Sequence, residues 1–210
     1  MPISQTRFQE SCNLMPSDNT PVERLTLSRE VMSHESSFQD HVAEASKVGS
    51  LGFAVITLSD TRNEVTDMSG KFIKRALAEA GHSVPYYRVL NEDRVKIKTT
   101  LQDCLADPQV NVVITNGGTG IASRDSTIEV LASMLDKQLD GFGELFRMLS
   151  YQEIGPAAMM SRALAGIAKN RVLFAIPGST NAVRLAMEKL ILPQAGHIYW
   201  ELNKHLRVKE

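Results

Sequence analysis

The stretch VVITNGGTGIASRDSTIE, residues 112–129, runs from a β-branched apolar segment through three glycines into a polar turn and a second apolar segment. The β-branched run predicts a buried strand, and Ser126 followed by Glu129 has the spacing of a helix capping box. A tight turn needs one glycine, so three glycines within 117–120 indicate that something approaches the backbone closely. The stretch therefore predicts a strand, a ligand-binding loop and a helix.

The same alternation of strands and helices extends outward from this stretch. Apolar runs predict further strands over 51–58, 83–90 and 172–176, and place the central strand over 110–115. Helical periodicity predicts helices over 69–80, 93–106, 126–135, 141–150, 157–168 and 181–191, and a last helix opened by Pro193. Alternating elements favour parallel pairing through right-handed crossovers. We therefore expect an α/β fold, a three-layer α/β/α sandwich with a mostly parallel sheet.

The composition separates the chain into two parts and limits its partners. Residues 1–48 are polar with broken periodicity, which predicts an extension that is either flexible or an arm packed on a neighbouring subunit. Residues 49–210 form the predicted domain. The net charge is −1 and no apolar run spans a membrane, so neither nucleic acid nor a membrane is an expected partner. Two cysteines, Cys12 and Cys104, and the lack of a secretory signal predict a cytoplasmic location.

Four predicted loops follow the carboxyl ends of the strands, where open parallel sheets bind ligands. They cover 59–62, 91–93, 117–125 and 177–179. Glycine-rich turns next to a helix N-terminus favour phosphate, so a phosphorylated ligand is the first hypothesis. A P-loop is excluded because the glycines lack the required lysine. A Rossmann fingerprint is disfavoured because Ser123 occupies the position of its third glycine.

Acidic residues in or near these loops indicate a site for Mg²⁺, which prefers one or two carboxylates together with phosphate oxygens. The candidates are Asp60, Asp67, Glu92, Asp93 and Asp125. Simpler roles remain open at this point. Asp125 can favour the positive end of the following helix, and Asp67 and Asp93 can cap helices.

Six motifs occur in order along the predicted domain. They are Thr57-Leu-Ser-Asp-Thr-Arg62, Asp67-x-Ser69-Gly70, Gly117-Gly-Thr-Gly120 with Arg124-Asp125, Gly141-Phe-Gly-Glu-Leu-Phe-Arg147, Ser161-Arg162-Ala163 and Pro177-Gly-Ser179. Taken together, these motifs resemble the MoaB/MogA molybdopterin-binding family of molybdenum-cofactor biosynthesis proteins and the related G domains of plants and animals. The resemblance covers about residues 50 to 192, and the run over 141–155 is more similar to the MoaB branch than to the MogA branch.

The resemblance implies a reaction. Active members of the family transfer AMP from Mg-ATP to the terminal phosphate of molybdopterin and release pyrophosphate. It therefore implies molybdopterin as substrate, ATP as co-substrate and Mg²⁺ as cofactor, for an adenylyltransferase that forms trimers or hexamers and works beside other cofactor-biosynthesis proteins. A molybdopterin-binding or carrier protein without catalysis is the alternative.

The resemblance also implies roles for individual residues. The catalytic candidates are Asp125, Glu92 and Asp93, with Asp125 and Glu92 as metal ligands. The candidates for binding substrate or nucleotide are Ser59, Asp60, Ser69, Gly117, Gly118, Thr119, Gly120, Glu144, Arg147, Ser161, Arg162, Pro177, Gly178 and Ser179. Three assignments have structural alternatives. Glu144 and Arg147 can form an intrahelical ion pair, Ser161 and Arg162 can form a polar helix face, and Ser179 can cap a helix.

Two departures from the family pattern affect these expectations. Asn91-Glu92-Asp93 replaces a Pro-Asp-acid sequence, which makes the first acid one methylene longer. Pro156-Ala157-Ala158 replaces Thr-Ser-Thr and removes hydroxyl groups near the expected pocket. Neither change touches the glycine loop.

Overall fold

The computed structural model describes residues 48–207, so nearly all of the predicted N-terminal extension lies outside the described residues. A six-stranded sheet in the order β2-β1-β3-β6-β5-β4 forms the centre. Strands β2, β1, β3 and β6 are parallel, whereas β5 and β4 add an antiparallel edge. The strands are β1 Gly52–Leu58, β2 Ser83–Leu90, β3 Val112–Asn116, β4 Lys137–Gln138, β5 Leu164–Ala168 and β6 Arg171–Ile176.

Helices cover both faces of this sheet. A 3₁₀ turn, Gly155–Met160, follows the fourth helix, and a π-helical segment, Met187–Ile191, joins the last two. The helices are α1 Met68–Glu79, α2 Arg94–Ala106, α3 Thr127–Ala132, α4 Asp140–Ile154, α5 Thr180–Ala186 and α6 Leu192–Arg207.

Alternate residues of β1 point into two separate hydrophobic layers. Phe53 and Val55 pack in the layer that contains α1, α4, α5 and α6, while Ala54 and Ile56 pack in the layer that contains α2 and α3. Every residue of β1 is buried, because a strand covered by helices on both faces has no solvent-facing side. The predicted three-layer α/β/α sandwich is confirmed.

The predicted helix over 157–168 is wrong. Residues 164–168 form strand β5, which returns antiparallel to β6 through a two-residue turn. Lys169 and Asn170 in that turn have φ values of 46° and 59°, as a type I′ hairpin turn requires. A short apolar run has no periodicity that distinguishes a buried strand from a helix. Pairing with β6 in the hairpin therefore determines that these residues form a strand.

The structure also adds to or changes smaller details of the sequence-based expectations. Helix α3 ends at Ala132, and Ser126 makes no side-chain cap bond, so the predicted capping box does not form. Strand β4 was not predicted. Ser179 caps α5, as its alternative role predicted, and Pro193 is the second residue of α6 rather than the first. No helix within residues 48–207 is both long and apolar enough to cross a membrane.

Candidate functional site

The loops that follow the parallel strands meet at one edge of the sheet. The backbone N–H of Glu92 donates to the Asp60 carboxylate at 3.2 Å, which joins the loops after β2 and β1. The N–H of Gly117 donates to the carbonyl of Ile176 at 3.0 Å, which joins the glycine loop to the end of β6. The predicted loops thus form one continuous surface, which we call the carboxyl edge.

The glycine loop is shaped partly by the chain itself. Gly117 and Gly118 have φ values of 99° and 63°, in the left-handed region that favours glycine. A Cβ on Gly117 would lie 2.2 Å from the carbonyl oxygen of Leu58, and one on Gly118 would lie 2.3 Å from Thr127 Oγ1. Close packing against the neighbouring backbone and helix therefore requires these two glycines even without a ligand.

Asp125 folds back across this loop. Its Oδ2 accepts a hydrogen bond from the Ala122 N–H at 2.9 Å, and a Cβ on Gly120 would lie 2.4 Å from the same oxygen. The third glycine therefore makes room for the carboxylate. Asp125 precedes the N-cap residue of α3, so its side chain organises the loop rather than capping the helix.

Glu92 lies beside Asp125. Burial raises the pKa of Glu92, and a hydrogen bond and charge repulsion from the Asp125 carboxyl, with further repulsion from Asp60, raise it more. Arg124 opposes this effect. Oε2 of Glu92 is buried and has no hydrogen-bond partner among the described residues. A cation between the two carboxyl groups would offset the repulsion that raises the pKa of Glu92.

Asp93 faces another way. Its carboxylate accepts hydrogen bonds from the N–H groups of Val95 at 2.8 Å and Lys96 at 3.0 Å, and these bonds cap α2. The same backbone bonds, that from Lys96 first, lower the pKa of Asp93. The structure therefore brings Glu92, and not Asp93, together with Asp125.

Further buried polar atoms surround the glycine loop without a partner among residues 48–207. They are Asn116 Oδ1, Ser126 Oγ and Thr127 Oγ1. Buried polar groups are nearly always hydrogen-bonded, so these atoms mark a place where water or a ligand completes the bonding. Sequence reasoning did not identify Asn116 or Thr127 as site residues, although Asn116 is the last residue of β3 and Thr127 is the first residue of α3.

Asp67 is the centre of a buried hydrogen-bond network under the same edge. The carboxylate is fully buried and accepts from Thr57 Oγ1 at 2.5 Å, from the Tyr87 hydroxyl at 2.9 Å and from the Gly70 N–H at 2.9 Å. Arg62 lies 3.9 Å away. Burial and the bond to Asp67 raise the pKa of Tyr87. Asp67 also caps α1, so its structural role is confirmed.

The loop after β1 is tied to the loop after β6. Ser69 Oγ donates to the carbonyl of Gly178 at 2.9 Å, and Arg62 Nη1 donates to the same oxygen at 3.1 Å. A Cβ on Gly178 would lie 3.0 Å from the Cα of Gly117, so the two glycine-containing loops touch. Ser59 lies in the first loop, where its hydroxyl accepts from the Arg62 N–H.

Two cavities are lined by further predicted residues. A cavity of about 320 Å³ is lined by Ser161, Pro177 and Ser179, together with the C-terminal end of α4 and the start of α5. A second cavity of about 190 Å³ is lined by Glu144 and Arg147. Within residues 48–207 these last two side chains form no ion pair with each other, and the two cavities share no lining residue among those that define them.

Arg162, Ser179 and Thr119 complete the predicted set. Arg162 Nη1 donates to the Gly120 carbonyl at 3.0 Å and Nη2 pairs with Glu129, which connects the glycine loop to the β5 side. The bond from Arg162 lowers the pKa of Glu129 against the effect of burial. Ser179 accepts from the Ala182 N–H at 3.3 Å as a helix cap. Thr119 is buried within the loop.

Solved structures contain the same α/β domain. A crystal structure of molybdenum cofactor biosynthesis protein B is 49% identical, covers 75% of this chain and 98% of that chain, and has a TM-score of 0.73. Tungsten cofactor synthesizing protein MoaB from Pyrococcus furiosus is 37% identical, with coverages of 75% and 98% and a TM-score of 0.65. The fold is therefore that of the MoaB class of α/β proteins.

Sequence comparison defines the family. Molybdenum cofactor biosynthesis protein B of Bacillus cereus is 50% identical over 151 residues, which are 71% of this chain and 89% of that protein. The family described as "probable molybdopterin binding domain" matches residues 54–197. The chain belongs to this molybdopterin-binding domain family, and the resemblance to its MoaB members is confirmed.

Proposed function

We propose that this protein binds molybdopterin and transfers AMP from Mg-ATP to its terminal phosphate, with release of pyrophosphate, in molybdenum-cofactor biosynthesis. One observation carries the proposal. Glu92 and Asp125 form a carboxyl pair directly beside a glycine loop whose flanking residues contain buried, unpartnered polar atoms. Such a site suits a ligand that carries phosphate groups and a divalent cation.

The residues present fit Mg²⁺ of the kind that binds with a nucleotide. Among residues 48–207 no group of three or more histidine, cysteine, aspartate or glutamate side chains could hold a metal ion on its own. Mg²⁺ is commonly bound by one or two carboxylates together with substrate phosphates and water, and Glu92 and Asp125 supply such a pair. When bound, the ion would neutralise charge on the phosphates.

The chain's own groups contribute orientation. Backbone N–H groups of the glycine loop bind phosphate oxygens, and their positions are fixed by the contacts of Gly117 with Leu58 and of Gly118 with Thr127. Asp125 is held by the Ala122 N–H, so its carboxylate keeps one orientation during the reaction. Little covalent chemistry is required of the protein in phosphoryl-group chemistry, so positioning and charge stabilisation carry the catalysis.

The larger cavity provides room for the pterin. Its volume of about 320 Å³ falls within the range of small-molecule sites, and Ser161 and Ser179 supply hydroxyl groups at its wall. It shares the loop after β6 with the carboxyl edge, so a ligand in the cavity can extend its phosphate towards the glycine loop. Glu144 and Arg147 line the smaller cavity and are proposed to contact a more distant part of the substrate.

The direct test is to incubate the purified protein with molybdopterin, ATP and Mg²⁺ and to detect adenylylated pterin and pyrophosphate by mass spectrometry. Glu92→Gln is expected to lower the affinity for ATP more in the presence of Mg²⁺ than in its absence, as measured by calorimetry. Asp93→Asn is the matched control, since asparagine retains the helix cap and Asp93 faces away from the pair. Equal ATP affinities of Glu92→Gln in both conditions would remove Glu92 from the metal site.

A binding or carrier role without catalysis is the second candidate. It is favoured by the replacement of Pro-Asp by Asn91-Glu92, together with the raised pKa of Glu92, because a proton then competes with the cation for this carboxyl group. Tight binding of molybdopterin without formation of pyrophosphate would support this candidate over adenylyl transfer.

We also propose that the protein forms a trimer-based assembly, a hexamer, and is located in the cytoplasm. Helix α4 buries Phe146 in the core but exposes Leu145, Met148, Tyr151 and Ile154 on its outer side. Exposed apolar groups concentrated on one helix are typical of an interface between protein chains. Light scattering is expected to give a multiple of three chains, and a monomer of 23.2 kDa would contradict the assembly.

A further inference from the structure

Arg62 is anchored at the carboxyl edge through one of its three side-chain nitrogens. Nη1 donates to the Gly178 carbonyl at 3.1 Å and to Ser69 Oγ at 3.3 Å, and it lies 3.9 Å from Asp67 Oδ1. No acceptor among residues 48–207 contacts Nε or Nη2, and 36% of the side chain is exposed. Guanidinium has five N–H donors, so those on Nε and Nη2 remain available for a ligand.

The anchor orients the side chain before any ligand arrives. Asp67 is fully buried and its position is set by three other donors, so the negative charge that attracts Arg62 does not move. The Gly178 carbonyl belongs to a loop that packs on Gly117. A guanidinium group held in this way binds an anion with a smaller entropy cost than a free surface arginine.

Arg62 differs in this respect from Arg162, another arginine next to the glycine loop. Arg162 uses both terminal nitrogens, since Nη1 donates to the Gly120 carbonyl and Nη2 pairs with Glu129. Its charge is already neutralised by a carboxylate at the surface. Arg62 shares its nearest carboxylate with Thr57, Tyr87 and Gly70 and retains unpaired donors, so it is the better anion ligand.

The position of Arg62 decides which anion it can meet. Its anchor Gly178 lies between Pro177 and Ser179, which line the cavity of about 320 Å³, and Gly178 touches Gly117 of the glycine loop. The guanidinium is therefore next to both the cavity wall and the phosphate-binding loop. Glu92 and Asp125 lie on the loops after β2 and β3 and suit the phosphates that carry a metal ion. A phosphate without a metal needs a cation from the protein.

We infer that Arg62 binds the terminal phosphate of the pterin and holds it beside the glycine loop to receive the AMP group, an inference that rests on the proposed function. Arg62 forms and breaks no covalent bond in this step. It orients the attacking phosphate oxygen and reduces repulsion between two anionic substrates. On this assignment the carboxyl edge has two sides. The carboxylates Glu92 and Asp125 serve the nucleotide, and Arg62 serves the pterin phosphate that accepts the AMP group.

The test compares molybdopterin with the same pterin after enzymatic removal of its terminal phosphate. Wild-type protein is expected to bind the phosphorylated form more tightly, and Arg62→Gln is expected to reduce this preference by about 10- to 100-fold, as loss of a charged hydrogen bond implies. Arg62→Lys should retain part of the preference, since it keeps the charge. Arg75→Gln is the matched control, because Arg75 is exposed on α1 and pairs with Glu79.

The preference for the phosphorylated pterin distinguishes a role of Arg62 in phosphate binding from a purely structural role. If Arg62 only ties two loops together, Arg62→Gln weakens binding of both pterins by the same factor and the preference is unchanged, which would overturn the inference. If Arg62→Gln does not fold, as judged by circular dichroism, the lysine variant decides. In that case, the inference would be overturned if Arg62→Lys preferred the phosphorylated pterin as strongly as the wild type and Arg75→Gln do. Its affinity for inorganic phosphate would also have to be unchanged.

Inorganic phosphate distinguishes failure of this inference from failure of the proposed function. Wild-type protein that binds no molybdopterin, or that binds it without AMP transfer, contradicts the proposed function in whole or in part. Titration with inorganic phosphate, followed by phosphorus NMR, still examines Arg62 in that case. Weaker phosphate binding by Arg62→Gln than by Arg75→Gln is expected, and equal binding by the two variants would overturn the assignment of Arg62.

Discussion

The two halves of the carboxyl edge differ in how completely their polar groups are paired. In the half formed by the loops after β1 and β6, Asp67, Ser69 and the Gly178 carbonyl are held by several hydrogen bonds. In the half formed by the loops after β2 and β3, Glu92 and Thr127 contain buried oxygens without a partner among the described residues. We call these the paired half and the unpaired half.

For the acidic residues, this difference separates a carboxylate that stabilises the fold from carboxyl groups that are proposed to bind a ligand. A buried carboxylate with three donors, such as Asp67, stabilises the native state because every bond is made within the chain. A half-buried acid with a raised pKa next to a second acid, such as Glu92 beside Asp125, costs free energy until a cation or proton binds. Substitutions in the two halves should therefore affect different properties.

The largest effect is expected for Asp67→Ala in the paired half. The change leaves the hydroxyls of Thr57 and Tyr87 and the Gly70 N–H without their acceptor, so the free energy of unfolding should fall by about 3–5 kcal/mol. Urea denaturation measures this change in the free energy of unfolding. Tyr87→Phe removes one donor only and should cost about 1 kcal/mol. A similar loss in both variants would show that the network is not centred on Asp67.

Asp125→Asn in the unpaired half should affect turnover instead. Asparagine can still accept the Ala122 N–H bond, so the free energy of unfolding should fall by about 1 kcal/mol at most. Loss of the negative charge should slow AMP transfer by about 10²–10³-fold, the range found when one electrostatic contact to a transition state is removed. Steady-state assays of pyrophosphate release measure this rate. Near-wild-type turnover would limit Asp125 to organising the loop.

Gly118→Ala examines how far the loop geometry depends on glycine. The left-handed backbone and the 2.3 Å approach to Thr127 Oγ1 should lower the free energy of unfolding by about 1–3 kcal/mol. Gly141→Ala is the matched control, because it lies in the first turn of α4 with nothing near its Cβ position and should gain about 0.5–1 kcal/mol. Thermal unfolding of the two variants should therefore shift in opposite directions.

The smallest effect is expected in the pH dependence of stability of Glu92→Gln. The folded protein raises the pKa of Glu92, so protonated Glu92 stabilises the wild-type fold. This contribution is fully present below the ordinary carboxyl pKa of 4.5 and is lost as the pH rises through the raised pKa. Glutamine does not titrate, so the variant should gain stability relative to the wild type over that window. Denaturant unfolding of both proteins at several pH values measures this difference in stability. A constant difference between the two proteins would contradict the carboxyl pairing.

The amino-acid sequence determined the central layers and the place of the candidate site. β1 and β3 are continuous apolar runs because helices bury both of their faces, and the glycines after β3 are visible without a structure. Parallel strands end at one edge, so the convergence of Glu92, Asp125 and the Pro177–Ser179 loop also followed from the order of elements. The helix caps at Asp67 and Asp93 were open alternatives that local spacing had already indicated.

Only the tertiary structure decided features that depend on contacts between distant residues. Residues 164–168 became a strand because β6 offered an open edge for pairing, which periodicity over five apolar residues does not reveal. Glu92 rather than Asp93 lies beside Asp125 because the Asp93 carboxylate caps α2. The link from Arg62 to the Gly178 carbonyl spans 116 residues of chain, and no local pattern encodes a hydrogen bond over that separation. Such bonds arise only when packing of the core has brought the loops together.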